Sequence, residues 1–235
     1  MGNVCVPVQG VIFDCDGTLM DTMGLWVGIE RELGRRVGHV FSKAEEDVLR
    51  SLTISETGEY LHGTFGILDS PQAVVDEIER LARDFYATKS QLKPGALRFL
   101  QALHQDGIPC AIASSSPHSL LDPGVRHTGI ADYLLAVVST DDVGASKRQS
   151  AVYDRARQLM GSDLDATWVF EDGAYTFATT VPAGYGTVGV YDSDDSGTFD
   201  QLAKLADVAI RSYDELDVDC FLAGEYRRAR WFSFS

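Results

Sequence analysis

Val8-Gln9-Gly10-Val11-Ile12-Phe13 is a short apolar run that stops abruptly at Asp14-Cys15-Asp16-Gly17-Thr18. A run of that length, closed by a turn sequence, reads as a buried strand whose polar residues collect at its carboxyl end. The pattern recurs. Residues 108–113 lead into Ser114-Ser115-Ser116-Pro117, residues 133–138 into Ser139-Thr140-Asp141-Asp142, and residues 167–170 into Glu171-Asp172-Gly173. Residues 186–191 and 206–210 are later apolar runs, and helical stretches at 96–104 and 150–159 lie between. Short apolar strands separated by helices imply an α/β fold with a Rossmann-like, mostly parallel sheet covered by helices. In such a sheet ligands bind outside the carboxyl ends of the strands. Asp14/Asp16, Ser114 and Glu171/Asp172 are therefore expected to meet.

Between the first strand and residue 90 no strand pattern interrupts. Leu25, Ile29 and Leu33 recur at helical spacing over 21–33, Ser42 and Glu45 have the spacing of a capping box, and 71–88 carries an amphipathic helix. The expected organisation is an α/β core of residues 1–18 and 91–235 with a helical cap, 19–90, inserted after the first strand. A length of 235 residues suits one full domain carrying a smaller one.

The charge balance excludes some partners. With 20 Lys and Arg against 35 Asp and Glu, the net charge of −15 disfavours nucleic acid and anionic membrane surfaces. Cys5, Cys15, Cys110 and Cys220 form no CxxC pair, which points to a reduced, cytoplasmic setting. A secretory signal and an apolar run of about 18 residues are both lacking, so no membrane span is expected. The expected quaternary state is a monomer or a weak homodimer.

Two carboxylates spaced as Asp14 and Asp16 can hold a divalent cation or divide nucleophilic and acid–base roles. The plainer reading is a capped strand-to-loop turn completed by Gly17. Ser114 has a turn or helix-cap reading shared with Ser115 and Ser116, Lys147 that of a solvated surface charge, and Glu171-Asp172 that of an acidic strand end.

The longer string Phe13-Asp14-Cys15-Asp16-Gly17-Thr18-Leu19-Met20-Asp21-Thr22 resembles the first motif of the haloacid dehalogenase-like superfamily, in its phosphatase and phosphoglucomutase-like branch with a helical cap. The resemblance continues at Ala113-Ser114-Ser115-Ser116, Lys147 and Phe170-Glu171-Asp172-Gly173, spanning about residues 8–190. It implies that Asp14 is the nucleophile that forms an aspartyl-phosphate, and that Asp16 protonates the leaving oxygen and then activates water. Ser114 and Lys147 would hold the transferring phosphoryl group, with Thr18 supporting the phosphate. Mg²⁺ would be held by Asp14, Asp172 and the backbone carbonyl of Asp16, with Glu171 on the metal, on its water or orienting its neighbours.

The sequence departs from the pattern in places. Arg148 stands where related enzymes commonly have proline, and is read as a surface charge. Cys15 replaces a larger apolar residue and is given no chemistry. Thr18 looks like the phosphatase form of the motif, where mutase relatives often carry valine. The function implied is a Mg²⁺-dependent phosphatase acting on a small phosphorylated metabolite, sugar phosphates among the candidates. The alternatives are a β-phosphoglucomutase-like phosphotransferase and a non-catalytic phosphometabolite-binding protein. In the cap, Arg50 and Thr53 are each read equally as facing the ligand or as a surface Arg and a helix-capping Thr. His62 is read as a local cap, and residues 226–232 as a tail folded on the core or an interaction edge.

Overall fold

The computed structural model describes residues 5–193 and 198–227. The strands β1 (Gly10–Phe13), β2 (Cys110–Ser114), β3 (Ala136–Ser139), β4 (Thr167–Glu171), β5 (Gly186–Val190) and β6 (Val208–Ile210) form one parallel sheet in the order β3-β2-β1-β4-β5-β6. These are the six apolar runs of the sequence, with ends moved by at most three residues. The chain builds outward from β1 to β3, then returns to lay β4 on the other side of β1. Loops leaving β1 and β4 therefore diverge, and a crevice opens at the switch point between them. Phe13 is in register with both Ile112 and Phe170, so Asp14 emerges level with Ala113 and Glu171.

Four helices follow β1: α1 (Met23–Arg36), α2 (Lys43–Leu49), α3 (Ile54–Phe65) and α4 (Pro71–Thr88). Ser42 and Glu45 close a reciprocal capping box on α2, and Thr53 and Glu56 close another on α3. Ser70 caps α4, with Pro71 opening its first turn. The four helices share their own apolar core, including Ile29, Leu33, Leu49, Leu61, Val74, Ile78, Ala82 and Tyr86. The chain leaves the sheet and comes back to it through adjacent strand-like segments, Asp21 N–H donating to the Gln91 carbonyl at 2.9 Å and Lys93 N–H to the Leu19 carbonyl at 2.8 Å.

The remaining helices are α5 (Ala96–Gln105), α6 (His118–Thr128), α7 (Thr140–Val143), α8 (Ala151–Met160), α9 (Phe177–Ala183), α10 (Phe199–Leu205) and α11 (Val218–Leu222). Strand side chains alternate between two cores, as the pleat requires. Val11, Phe13, Ile112 and Phe170 pack on one face with Phe99 of α5 and Phe221 of α11. Ile12, Ala111, Ala113 and Val169 pack on the other with Val152, Tyr153 and Ala156 of α8. Phe13 and Phe170, side by side on β1 and β4, have ring centroids 4.9 Å apart. Leu120 of α6 joins the core of the inserted helices. Gly124 keeps that junction close, because a β-carbon there would stand only 3.0 Å from the Tyr86 ring.

The sequence reading gives no range to a helix at α6, beyond Ser115 and Ser116 as its caps, and none at α9; the two contain Pro123 and Pro182 within them. Among the described residues no helix is long and apolar enough to cross a membrane. All four cysteines are free thiols, Cys15 and Cys110 buried and Cys5 exposed.

Candidate active site

Asp14 is the first residue past β1 and is buried. Lys147, on the loop between α7 and α8, reaches it from the side of the sheet covered by α8. Its ammonium donates to Asp14 Oδ1 and, at 2.7 Å, to Glu171 Oε1 at the end of β4. Tyr153 of α8 donates to the same Glu171 oxygen at 2.6 Å, and its ring centroid lies 5.9 Å from the Lys147 nitrogen. Asp172 completes the group: one oxygen each from Asp14, Glu171 and Asp172 lie within 4.8 Å of one another, all three residues being buried. Gly17 makes room for this. Its φ of +76° is the left-handed conformation glycine tolerates, and a β-carbon there would run into Asp172 Oδ2.

Asp16 is held apart from that cluster. Its Oδ1 accepts from the Thr22 hydroxyl at 2.6 Å and from the Tyr86 phenol, and its Oδ2 from the Ser116 hydroxyl at 2.7 Å. Ser114 closes β2 and lines the cavity above the carboxylates, its oxygen accepting from Ser116 N–H at 3.0 Å. The reading of Ser115 and Ser116 as caps for the next helix is corrected here. Pro117 stands at that position without a side-chain cap, and Ser116 is drawn to Asp16 instead.

Thr18 is fully buried and gives its hydroxyl hydrogen to Asp172 Oδ1 at 3.2 Å. Its own position is thus behind the metal-candidate carboxylates, supported by Tyr213, whose phenol donates to the Thr18 carbonyl at 3.2 Å.

The electrostatics are lopsided: three carboxylates gather at one ammonium, with Asp16 nearby. Burial pushes the Asp14 carboxyl up to about 8 against the pull of Lys147, and Glu171 and Asp16 add to the rise. Burial also opposes the charge on Lys147, but Asp14 and Glu171 outweigh it and hold the ammonium well above its ordinary range. One lysine does not neutralise such a cluster. Three carboxylates with oxygens this close, and no nitrogen or sulfur among them, form a donor set suited to a hard divalent cation such as Mg²⁺.

Of the residues read as undecided, Arg50 buries nearly all of its side chain and lines the cavity, 3.6 Å from Glu46 and 3.7 Å from Asp47, which overturns its surface reading. Thr53 is the cap of α3. His62 turns its Nδ1 to the Ile67 and Leu68 carbonyls, 3.2 and 3.1 Å away, at the end of that helix. Arg148 is exposed, and its guanidinium donates to Ser51 of the inserted helical segment. Of the tail, residues 228–232 lie outside the described residues. Sequence reasoning missed Tyr86, Tyr153 and Tyr175, the last on the cavity wall. Tyr86 follows Ala82 at helical spacing on an apolar stripe, a pattern that signals core and says nothing of the hydroxyl.

A buried cluster of three carboxylates around a lysine, at the switch point of a parallel sheet and beneath an inserted helical unit, fits a hydrolytic enzyme that works on a charged group. The chain belongs to the haloacid dehalogenase-like hydrolase family, whose model matches residues 8–176. It is 28% identical to an uncharacterized protein of Haemophilus influenzae over 76% of this chain and 88% of that protein. It is 28% identical to (DL)-glycerol-3-phosphatase 1, mitochondrial, of Arabidopsis thaliana over 79% of this chain. That match spans 65% of the plant protein, just under two thirds. Among solved structures, β-phosphoglucomutase from Clostridium difficile superposes with a TM-score of 0.77 at 17% identity, covering 93% of this chain and 98% of that one. At that identity the likeness is one of fold.

Proposed function

We propose that the chain is a Mg²⁺-dependent phosphatase that hydrolyses a small phosphorylated metabolite through an aspartyl-phosphate on Asp14. The observation that carries this reading is the Lys147 ammonium lodged between Asp14 and Glu171, with Asp172 within 4.8 Å of both carboxylates. The phosphatase name of the plant relative supports it.

A phosphate monoester dianion repels a carboxylate, so the approach to Asp14 needs positive charge on the phosphoryl oxygens. Lys147 supplies one such charge, and the Ser114 hydroxyl a hydrogen bond. Mg²⁺, held by Asp14, Glu171, Asp172 and the Asp16 carbonyl, would supply the remaining charge neutralisation. A carboxylate oxygen of Asp14 then attacks phosphorus, and the bond from phosphorus to the ester oxygen breaks as Asp16 gives that oxygen a proton. In the second half water attacks the phosphorus of the acyl phosphate, Asp16 takes the water's proton, and phosphate departs with the Asp14 carboxylate restored. Thr18 steadies Asp172, and the cap over 19–90 keeps bulk water from the acyl phosphate.

The test is phosphate release from a panel of phosphate monoesters, with and without Mg²⁺, by wild-type protein and Asp14→Ala. Mg²⁺-dependent release that falls by roughly 10³-fold or more in the variant is expected. Full release by Asp14→Ala overturns the nucleophile. Interconversion of sugar-phosphate isomers faster than phosphate release, followed by phosphorus NMR, replaces this reading with the mutase.

A further inference from the structure

Above the carboxylates the wall of the cavity changes character. Its floor is polar, formed by the strand ends. Its roof, supplied by the inserted helices, is made largely of Met23, Trp26, Ile29, Leu33, Leu49 and Ile78. Of these, Met23, Ile29, Leu33, Leu49 and Ile78 are each at most 7% exposed. The polar side chains on the roof are few: Glu30, Arg50 and Thr57. Arg50 already sits beside Glu46 and Asp47, and Glu30 carries the opposite charge. The roof is therefore close to neutral and poor in groups that could match a row of hydroxyls.

The cavity is continuous with the reacting group, so whatever is esterified to the phosphate lies against this roof. A polyol there would leave hydroxyls unpaired, each costing roughly tenfold in affinity. An apolar group would gain about fourfold for each buried methylene. The whole cavity, polar floor included, measures about 130 Å³, less than an apolar cavity of about 150 Å³ that takes up benzene.

Resting on the phosphatase reading, we infer that the substrate is the phosphate monoester of a small apolar alcohol, aryl or short alkyl, with an organic part no larger than a phenyl ring. Polyhydroxylated sugars fall outside that class.

Phosphonates test this without turnover, because they carry no ester bond to cleave. Calorimetric titration in Mg²⁺ would compare methyl-, ethyl-, butyl- and phenylphosphonate with 3,4-dihydroxybutylphosphonate. The Kd is expected to tighten along the alkyl series by up to about fourfold per methylene, with phenyl tighter than the dihydroxy compound by at least about tenfold. Ile54→Thr, at the half-buried first residue of α3 on the roof, is expected to flatten the series while leaving methylphosphonate unchanged. A flat series in wild-type protein, a tighter dihydroxy compound, or an Ile54→Thr series as steep as wild type overturns the inference. A steep series from a protein that hydrolyses no ester overturns the phosphatase reading alone.

Discussion

Tyr86, near the end of α4, donates its phenolic hydrogen to Asp16 Oδ1, although the two residues stand 70 apart in the sequence. The same oxygen accepts from Thr22, while Trp26 Nε1–H donates to the Tyr86 oxygen at 3.2 Å. Burial, then the charge of Asp16, pushes the Tyr86 phenol well above its ordinary range, so it stays a donor at any working pH. The acid–base candidate is thereby oriented by the inserted helices as well as by its own loop.

Tyr86→Phe removes that donor and leaves the ring in place. Loss of one hydrogen bond of about 1 kcal/mol corresponds to roughly a fivefold fall in kcat, with KM little changed if Asp16 acts in the chemical step. Steady-state phosphate release beside a thermal melt checks this. A fall confined to KM would place Tyr86 in substrate binding instead.

The sheet was legible because buried parallel strands leave plain apolar runs, and the carboxylates were legible because they close those runs. Residues 71–88 show the same for a helix, with Pro71 opening it and Thr88 ending it as the periodicity implied. What stayed hidden were side chains whose role depends on tertiary placement. Tyr153 has a helical spacing that reports a buried face, yet its hydroxyl meets Glu171 only because α8 packs across β1, β2 and β3, beside β4. Arg50 and Arg148 look alike in sequence, but one is folded under the cap and the other lies open. Pro123 and Pro182 hid two helices by breaking the local rule that proline ends one.

Lys147→Met strips the ammonium from between Asp14 and Glu171. Leaving buried carboxylates uncompensated costs about 3–5 kcal/mol, so the urea midpoint is expected to drop clearly in Mg²⁺-free buffer and to recover in part when Mg²⁺ is added. Lys147→Arg is not a conservative rescue, since a planar guanidinium does not fit a site made for a compact ammonium. An unchanged midpoint in Lys147→Met would mean that Asp14 and Glu171 share a proton once the lysine is gone.

If Asp14, Glu171 and Asp172 hold the cation, Mg²⁺ stabilises the folded state by mass action, about 2.7 kcal/mol at a hundredfold excess over Kd. The melting temperature is expected to rise with Mg²⁺ and return on chelation. Asp172→Asn should abolish the rise, and Thr18→Val, which removes the hydroxyl donated to Asp172 at 3.2 Å, should shift it to higher Mg²⁺. A Mg²⁺ response in Asp172→Asn equal to wild type would move the cation away from this cluster.

Glu77 provides the pH test, far from the chemistry. On α4, it accepts from Arg80 Nε at 2.7 Å and from Arg36 Nη2 of α1 at 2.6 Å, tying two helices of the inserted unit together. Arg80 first and Arg36 second pull its carboxyl from 4.5 down to about 2. The unfolded chain takes up a proton near 4.5 while the folded one still resists, so the pair's contribution is fully present above that pH. It is lost as pH falls through about 2. Since solvent screens part of the pair, Glu77→Gln should cost no more than about 1 kcal/mol at neutral pH. The difference between wild type and variant should shrink steadily below pH 4.5, as read from urea midpoints across the acid range. A difference that stayed constant down to pH 3 would assign the loss to packing between α1 and α4 rather than to the charge on Glu77.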